Sequence, residues 1–512
     1  MASNTDSILG DEMHCQRSIP GLAWLVFAIW SQWTAGVSFA KDDTDALRPN
    51  IVLVMADDLG YSQTGYFDHP LLQTPQLDRL AKSGIRLDRF YAASAVCSPT
   101  RASVLTGRCP VRCGVPSHGY ALRHQEPTII EALQQAGYAT GHFGKWHLDG
   151  LRGPGVPIFE DDPFHPGKFG FDHWASVTNF FDRNPLLSHE GDFRSHQGDS
   201  SEVTVELAID FMKQCHHDDK PFACVIWYGT PHSPFVADGE DVKSLSATSA
   251  KHKALVDAMD NISKQHYGEL VAMDRSLGTL QDSLAAMGLS DETMIWFNSD
   301  NGGLPKIEPS TTGSLRGHKG QLFEGGIRVP CVVTWPNQIP GDVVSRFPSS
   351  TSDIAPTILD LLQLSDDALL TPRDGQSIAD QLRQTEGRVD VRASPMGFRF
   401  NSQSAVVDGR WKLIRGKSVA GGEALFDLDA DVSESTSLIE THPEQALRLR
   451  NWLDDFESSV ESSRLGRDYP SGQVAADHPQ PRFWTEVPAY QAIFDQLKDR
   501  PEYRQRIKRA SR

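Results

Sequence analysis

Apolar runs of strand length alternate with helix-like segments between residues 50 and 300. The run "NIVLVMADDLG" (50–60) is continuously apolar and ends in two aspartates and a glycine, as a buried parallel strand leading into a loop does. Leucines at helical spacing follow in residues 74–84, and "IRLDRFYA" then has strand character. The same order returns with the helix "EPTIIEALQQAGY" and the strands "ATGHFGKWH" and "CVIWYGTPHSPF". This repetition predicts an α/β fold with a large, mostly parallel sheet flanked by helices on both faces.

Polar residues stand directly after several of these predicted strands. The longest amphipathic helix, residues 267–287, leads into the strand "TMIWFNSDNGG" (293–303), which ends in the same way as the first strand. Ligands of open α/β sheets bind beyond the carboxyl ends of the strands. We therefore expect one rim of the sheet to collect Asp57, Asp58, His232, Asp300 and Asn301.

The pattern changes after about residue 365. "SAVVDGRWKLIRG" and "EALFDLDAD" predict two strands around a glycine-rich turn, and "PEQALRLRNWLDDFESSVESS" predicts an amphipathic helix. A short helix is indicated in "AYQAIFDQLK". The chain is thus expected to consist of a main domain over residues 48–365 and a smaller C-terminal α+β subdomain over residues 366–512.

The N-terminus resembles an export signal. "GLAWLVFAIW" (21–30) is an apolar run too short for a confident membrane span, and small residues ending at Ala40 follow it. Cleavage after Ala40 predicts a periplasmic or secreted protein without a stable membrane span. It would also remove three acidic residues and one basic residue, which moves the net charge from −18 to −16. So acidic a chain is no general nucleic-acid binder, and an anionic substrate would need a local cationic pocket.

Cysteines are too sparse to form a disulfide framework. Six remain beyond residue 40, and their spacing matches no zinc site. Cys109 and Cys113 are close enough in sequence either to form a bridge or simply to pack.

The stretch "CSPTRASVLTGR" places Cys97 at the start of a short predicted helix. Ser98 suits the N-cap, Pro99 the first helical position and Gly107 the stop. Backbone N–H groups at such an end favour an anion, and Arg101 can reach the same place. Two alternatives are a buried cysteine that only packs, and a cysteine-phosphatase loop. The second needs an arginine six positions after the cysteine, where this chain has serine.

Together these motifs resemble the type I sulfatases of the alkaline phosphatase superfamily. C-x-P-x-R followed by A-S-x-x-T-G-R is the family pattern, and "GYATGHFGKWHL", "TPHSPF", "SDNGG", "GHKGQLFEGGIRVP" and "ALFDLDADVSES" follow in the family's order. In that family a separate formylglycine-generating enzyme oxidises the cysteine to formylglycine, an aldehyde. The resemblance implies that Cys97 is the precursor of the nucleophile. The thiol of Cys97 is then the starting material from which the aldehyde is made.

The resemblance also implies a divalent metal site. Carboxylate and amide oxygens are the hard ligands that calcium prefers, and magnesium has the same preference. By resemblance the ion is Ca²⁺, with Mg²⁺ as the alternative. Asp57 and Asp58 by themselves could equally form a polar loop after a strand. The implied ligands are Asp57, Asp58, Cys97, Asp300 and Asn301.

Cationic residues complete the implied site. Lys145 and His147 alternate in a predicted strand and so point to one side of it. By resemblance, Arg101 and the ion hold the aldehyde hydrate ready, and Lys145 binds sulfate and the hydrate. His147 removes the proton that starts sulfate release. His232 and Lys319 contact the leaving oxygen, with His232 as general acid. Taken singly, each could be a surface lysine or a histidine satisfied in the core, and His318 is expected to be structural.

The implied activity is hydrolysis of sulfate monoesters, with a sulfated carbohydrate as the expected substrate. "GKFGFDHWASVTNFFDRNP" (167–185) is a candidate sugar-binding loop or a packed surface loop. A phosphoesterase or phosphonate monoester hydrolase of the same superfamily is one alternative function. A non-catalytic protein that binds sulfated glycans is another, and it would be expected to lack some of the site residues.

Overall fold

The computed structural model describes residues 48–179, 183–383 and 391–511. The predicted export signal, residues 1–40, lies outside the described residues, so export and cleavage stay predictions. Among the helices described, none combines the length and the apolar character that a bilayer crossing requires.

The described strands and helices follow the alternation of the sequence. The strands are β1 (Asn50–Ala56), β2 (Ile85–Leu87), β3 (Phe90–Tyr91), β4 (Ala139–Lys145), β5 (Leu151–Arg152), β6 (His173–Val177), β7 (Leu186–His189), β8 (Asp192–Ser195), β9 (Phe222–Trp227), β10 (Thr293–Ser299), β11 (Cys331–Thr334), β12 (Val343–Ser345), β13 (Ser349–Ser350), β14 (Met396–Phe400), β15 (Gln403–Asp408), β16 (Trp411–Arg415), β17 (Glu423–Asp427) and β18 (Arg482–Phe483). The helices are α1 (Pro75–Lys82), α2 (Cys97–Thr106), α3 (Ile129–Gln135), α4 (Ser200–His217), α5 (Gly239–Ala247), α6 (Ala250–Ala258), α7 (Asn261–Ala286), α8 (Glu324–Ile327), α9 (Ile354–Leu361), α10 (Ala379–Leu382), α11 (Pro443–Arg464), α12 (Pro488–Gln491), α13 (Phe494–Leu497) and α14 (Pro501–Ala510).

A ten-stranded sheet forms the centre of the molecule, in the order β12-β2-β11-β10-β1-β9-β4-β6-β7-β8. Its five middle strands, β10 to β6 in that order, all pair in parallel. Strands β11 and β7 join this group antiparallel on either side. The predicted parallel sheet is therefore confirmed at the centre, and the flanks make the whole sheet mixed.

Both faces of the sheet are buried, which explains why β1 is apolar throughout. Ile51, Leu53 and Met55 face a core shared with α2, α3 and α9. The alternate residues Val52 and Val54 face a second core that contains α1, α4 and α7. A strand covered by helices on both sides has no solvent-facing position, so its sequence shows no alternation.

The C-terminal region adds a separate antiparallel sheet, in the order β14-β15-β16-β17. The predicted two strands are in fact four. "SAVVDGRWKLIRG" turns at Gly409 (φ 57°) and forms the hairpin β15–β16, and β14 is an additional strand before it. One face of this sheet packs on residues around Leu322 and Ile327 of the main fold, and the other packs on α11. The described residues form one compact unit, so a domain boundary at residue 365 stays a prediction.

The last part of the chain folds back onto the main fold. β18 pairs in parallel with β5, and Trp484, Tyr490 and Tyr503 pack against Leu151. The predicted helix "AYQAIFDQLK" corresponds to α12 and α13, and α14 follows them. This tail thereby supports the segment that directly follows His147.

The candidate sugar-binding loop 167–185 is in large part buried structure. Residues 173–177 of it form β6, an inner strand of the ten-stranded sheet. Phe169, Phe171 and Trp174 are core residues, at most 5% exposed. These aromatic side chains serve packing and not sugar binding, while residues 180–182 of the loop lie outside the described residues.

Candidate active site

Parallel pairing of β1 with β10 brings the first four predicted site residues together. Ala56 is paired with Ser299, so the residues after each strand emerge side by side. The backbone N–H of Asp58 donates to Asp300 Oδ1 at 3.1 Å, and Asn301 Nδ2 donates to Asp58 Oδ1 at 2.7 Å. Asp58 adopts a left-handed φ of 69°, which turns the chain sharply at the strand end. All four side chains are buried.

Helix α2 supplies the cysteine. The helix begins at Cys97 itself, after the extended residue Val96, and ends at Gly107 with φ 70°. The prediction that Ser98 is the N-cap is wrong, because Ser98 lies within the first turn. Its Oγ accepts instead from the backbone N–H of Gly119 at 2.9 Å. Cys97 nevertheless lies at the positive end of the helix, as expected.

Arg101 and Lys145 bind the carboxylates at the centre of the site. Arg101 Nη2 lies 2.8 Å from Asp300 Oδ2 and 3.2 Å from Asp57 Oδ2, and Nη1 donates to the carbonyl of Lys145 at 3.1 Å. Lys145 Nζ also bonds Asp57 Oδ2. Burial alone would raise the pKa of Asp57, but the neighbouring cations, Lys145 foremost, bring it below its usual range.

His147 lies directly beside the cysteine. Its Nδ1 is 3.3 Å from Cys97 Sγ. The expectation that His147 belongs to a strand is wrong, because β4 ends at Lys145 and His147 has φ 57°. Burial, and then the charges of Lys145 and Arg101, lower its pKa well below the usual value, so the imidazole is neutral and able to accept a proton.

Lys319 and His232 approach from the outer side of the site. Lys319 Nζ lies 2.6 Å from Asp58 Oδ1, and His232 Nε2 lies 3.9 Å from Asp58 Oδ2. Both side chains are about one-fifth exposed, whereas Asp58 is buried. Burial and the charges of Lys319 and Lys145 lower the pKa of His232 to about 4. The His318 side chain bonds the Lys319 carbonyl at 2.8 Å, in line with a structural role.

All ten predicted site residues therefore converge, and the arrangement fits a divalent cation. Potential ligand atoms of Asp57, Cys97 and Asp300 lie within 4.8 Å of one another, as do those of Asp57, Asp58 and His232. Asp57 Oδ1 and Asn301 Oδ1 are buried without a hydrogen-bond partner. Buried oxygens left without a donor are costly unless a cation is bound to them. Burial and the charge of Asp57 also raise the pKa of Asp300 to about 7, a shift that a cation would oppose.

The other described cysteines form no disulfide and are buried. Cys113 Sγ lies 3.3 Å from Thr106 Oγ1, and Cys109 packs against the C-terminal sheet. The two residues therefore pack without forming a bridge. Of the six described thiols, only Cys97 belongs to a candidate metal group.

Sequence reasoning missed the residues that hold the Lys319 loop, defined here as residues 316–324. Gln403 donates to the Gly320 carbonyl at 3.1 Å and accepts from the Leu322 N–H at 3.2 Å. Glu434 accepts from the backbone N–H of Glu324 at 2.6 Å. No local sequence signal marks these contacts, because each joins residues more than 80 positions apart.

Comparison with known proteins identifies the family. The sulfatase family model matches residues 49–364. The chain is 30% identical to N-acetylgalactosamine-6-sulfatase of Sus scrofa over 435 residues, which cover 76% of this chain and 75% of that protein. It is 32% identical to arylsulfatase A of Homo sapiens over 349 residues, 61% of this chain and 64% of that protein. The chain belongs to the sulfatase family, whose named members are sulfate ester hydrolases. It spans about two thirds of the length of arylsulfatase A.

Solved structures show the same fold. The crystal structure of Ps i-CgsB in complex with a neocarrahexaose superposes with a TM-score of 0.70 at 23% identity, covering 90% of this chain and all of that one. The phosphonate monoester hydrolase of Agrobacterium radiobacter superposes with a TM-score of 0.56 at 19% identity, covering 85% of this chain and all of that one. The fold is therefore shared with Ps i-CgsB and with a phosphonate monoester hydrolase, and the predicted α/β fold class is confirmed.

Proposed function

We propose that this protein hydrolyses sulfate monoesters with a formylglycine made from Cys97 and with a divalent cation. The observation that carries the proposal is the position of the Cys97 thiol. It is 2% exposed, begins a helix, lies 3.3 Å from a neutral histidine and shares a group of possible metal ligands with Asp57 and Asp300. A thiol with burial-raised pKa is a poor nucleophile there, so conversion to an aldehyde hydrate supplies the missing reactivity.

In the proposed reaction, the Sγ of Cys97 marks where the hydrated aldehyde would present its hydroxyl groups. The hydrate would supply one hydroxyl oxygen to sulfur, and that hydroxyl would lose its proton to water as the S–O bond to the alcohol breaks. Arg101 and Lys145 orient the reacting groups and offset negative charge on the sulfate oxygens. His147 would then accept the proton of the second hydroxyl, which would let the aldehyde C=O re-form as sulfate leaves. Addition of one water molecule to the aldehyde would restore the hydrate, so the net change is consumption of one water to give an alcohol and sulfate.

The leaving alcohol needs a proton as its bond to sulfur breaks. His232 and Lys319 are partly exposed basic residues on the outer side of the site, where the remainder of a substrate can extend into solvent. His232 is neutral in the free site, and an anion bound beside it would favour its protonated form. We therefore assign His232 as general acid and Lys319 as a contact to the leaving oxygen.

The cation would be held by Asp57, Asp58, Asp300 and Asn301, with the modified Cys97 side chain as a further ligand. It would supply charge neutralisation and polarisation of a sulfate oxygen. We propose Ca²⁺, with Mg²⁺ as the alternative. If a cation binds the folded state only, saturating Ca²⁺ raises the melting temperature and chelation lowers it, independently of turnover.

For the substrate we propose a sulfated carbohydrate. The support comes from relatives named for N-acetylgalactosamine-6-sulfate and from the neocarrahexaose complex of a protein with the same fold. We also propose export through residues 1–40 and maturation by a formylglycine-generating enzyme. Determining the N-terminal residue of the exported protein tests the first of these two points.

The deciding experiment combines mass spectrometry with rate measurements. Protein made in a host that contains the maturation enzyme is digested, and the peptide with Cys97 is expected to be about 18 Da lighter than the thiol form. The same protein should hydrolyse an aryl sulfate much faster than an aryl phosphate or phosphonate. Faster cleavage of the phosphorus ester would favour a phosphonate or phosphate hydrolase. No cleavage of any ester would favour a glycan-binding protein.

Cys97→Ala and Cys215→Ala form a matched pair of variants. Both remove a buried thiol, but Cys215 lies in α4, away from the site. Cys97→Ala is expected to abolish the mass change and to lower kcat/KM for an aryl sulfate by at least a thousandfold. Cys215→Ala should retain the mass change of the Cys97 peptide and the wild-type kcat/KM. Full activity of Cys97→Ala would contradict the proposal.

A further inference from the structure

Arg152 is held rigidly at the edge of the active site. Its strand, β5, pairs with β18, and the N–H of Arg482 donates to the Gly150 carbonyl at 3.1 Å. The next residue, Gly153, contacts the indole of the fully buried Trp484. The C-terminal tail thus holds the backbone of Arg152 in place, which fixes the position of its Cα atom.

The guanidinium of Arg152 has no anionic partner among the described residues. Its carbon Cζ lies 5.6 Å from the centroid of the Tyr120 ring. Its Nε is buried without a hydrogen-bond acceptor, although the residue as a whole is only half-buried. A partly desolvated cation without an acceptor is unfavourable by itself, so the position favours an anion that arrives with a ligand.

This guanidinium belongs to the surroundings of Cys97. Ser98, the neighbour of Cys97, accepts from the Gly119 N–H at 2.9 Å. Gly119 in turn lies against Arg152, since a Cβ at Gly119 would be 2.5 Å from Arg152 Cγ. Two contacts therefore connect the start of α2 with Arg152.

His118 lies close enough to Arg152 and to the two lysines of the site for all three charges to act on it. Burial, and then the charges of Arg152, Lys319 and Lys145, lower the pKa of this partly exposed histidine. Arg152 thus extends the cationic surface of the site outward, and His118 contributes a neutral imidazole beside it.

We propose that Arg152 is a specificity-determining residue that binds a second anionic group of the substrate, either a carboxylate or a second sulfate. This inference rests on the proposed sulfatase function and narrows its substrate class to esters that carry a further negative charge. A guanidinium donates two parallel hydrogen bonds to a carboxylate or sulfate, which a neutral sugar hydroxyl matches poorly. The stacking on Tyr120 keeps the planar group oriented for such a contact.

The test compares three soluble substrates that share one cleavable sulfate. The first is a monosulfated N-acetylhexosamine, the second carries another sulfate on the same sugar, and the third is a disaccharide that adds a uronic acid. Initial rates give kcat/KM for the wild type and for Arg152→Gln, Arg152→Lys and Lys417→Gln. Lys417 is an exposed residue of the C-terminal sheet region, so its variant removes the same charge far from the site.

Arg152→Gln is expected to lower kcat/KM for one of the doubly charged substrates roughly tenfold to a hundredfold, chiefly through KM. For the monosulfated sugar, kcat/KM of Arg152→Gln should stay within about twofold of the wild-type value. For Lys417→Gln, kcat/KM should stay within about twofold of wild type on all three substrates. Arg152→Lys keeps the charge but loses the paired donors, and an intermediate loss is expected. The substrate that loses most shows whether the second group is a sulfate or a carboxylate.

An equal loss on all three substrates would overturn the inference, and so would no loss on any. Melting temperatures of the variants show whether an equal loss comes from misfolding. If it does, Arg152→Lys decides, through the ratio of its kcat/KM values for the doubly charged and the monosulfated substrates. If the wild type cleaves no sulfate ester, the proposed function itself fails. An active wild type with an unchanged substrate ratio in Arg152→Gln refutes only the second-anion site.

Discussion

At the scale of single residues, burial decides the protonation of several acids and bases near the site. Asp149 follows the "GKWHL" motif and is 4% exposed. Its carboxyl group accepts from Thr178 Oγ1 at 2.7 Å and from the Leu151 N–H at 3.2 Å. Burial, and then the charge of Asp162, raise its pKa from 3.8 to about 7. At a pH between these two values, Asp149 is therefore protonated in the folded protein and ionised in the unfolded chain.

This shift predicts a pH-dependent effect of Asp149→Asn. Between pH 4 and pH 7 the native state binds more protons at this group than the unfolded state, so its contribution to stability declines as pH rises. Asparagine is neutral at every pH and lacks this decline. We expect the variant to gain up to about 2 kcal/mol relative to wild type between pH 5 and pH 8. Thermal unfolding at both pH values measures the gain.

Asp210→Asn is the control, because Asp210 is an exposed helix residue. Its stability relative to wild type should change little over the same range. An Asp149→Asn variant whose relative stability does not change between pH 5 and pH 8 would show that Asp149 is ionised in the folded protein.

At the scale of elements, the Lys319 loop depends on a strand from the other sheet. The loop has little regular structure of its own, and Gly320 donates to the Ala95 carbonyl at 2.9 Å, two residues before Cys97. Gln403, at the start of β15, bonds both sides of the loop through Gly320 and Leu322. The C-terminal sheet therefore positions Lys319 although it contributes no residue to the candidate site.

Gln403→Ala should reduce turnover without removing the site. Loss of two hydrogen bonds to the loop leaves Lys319 less well placed, and we expect kcat for an aryl sulfate to fall about tenfold. KM should change less, because Arg101 and Lys145 are not touched. Gln214→Ala, on the exposed side of α4, is the matched control and should behave as wild type. Wild-type kcat in Gln403→Ala would exclude this positioning role.

At the scale of the whole molecule, a buried ion cluster joins the C-terminal sheet to α8 and β3 of the main fold. Lys412 Nζ, on β16, lies 2.9 Å from Glu324 Oε1 and 2.9 Å from Glu434 Oε1, and all three side chains are fully buried. Tyr91 donates to Glu324 Oε2 at 3.0 Å. Burial raises the pKa of Glu434 to about 7, the charge of Lys412 opposes this rise, and the charge of Glu324 adds to it. Lys412 thus serves two carboxylates, while Glu324 has a second cation in Arg328, whose Nη1 lies 3.4 Å from its Oε2.

Lys412→Met should strongly destabilise the protein. The methionine fills similar volume, but both glutamates lose their shared cation in a site without water access, and we expect a loss of about 3 to 5 kcal/mol. Lys417→Met, an exposed change near the same strand, should cost less than about 1 kcal/mol. Urea unfolding midpoints compare the two. Similar midpoints would mean that another cation, for example Arg328, neutralises the charges of the two carboxylates.

Much of the fold could be predicted from local pattern. The continuous apolar runs gave the central parallel strands, and leucine spacing gave α7, although that helix begins at Asn261, six residues earlier than expected. The antiparallel flanks and the two extra C-terminal strands could not be predicted, because short strands carry little periodicity of their own. Ser98 and His147 were misplaced for a related reason, since tertiary contacts decided where α2 begins and where β4 ends.

The sequence by itself determined the chemistry available to this protein: the cysteine motif, the acidic strand ends, the cationic residues and the apolar runs that make a doubly covered sheet. These features depend on side-chain type and on contacts between near neighbours. Only the tertiary structure decided which of these groups meet, as Asp58 and Asp300 do across 242 positions. It also left Arg152 without an anionic partner among the described residues and attached the Lys319 loop to Gln403. Such contacts arise from how the elements pack, and packing depends on the whole chain at once.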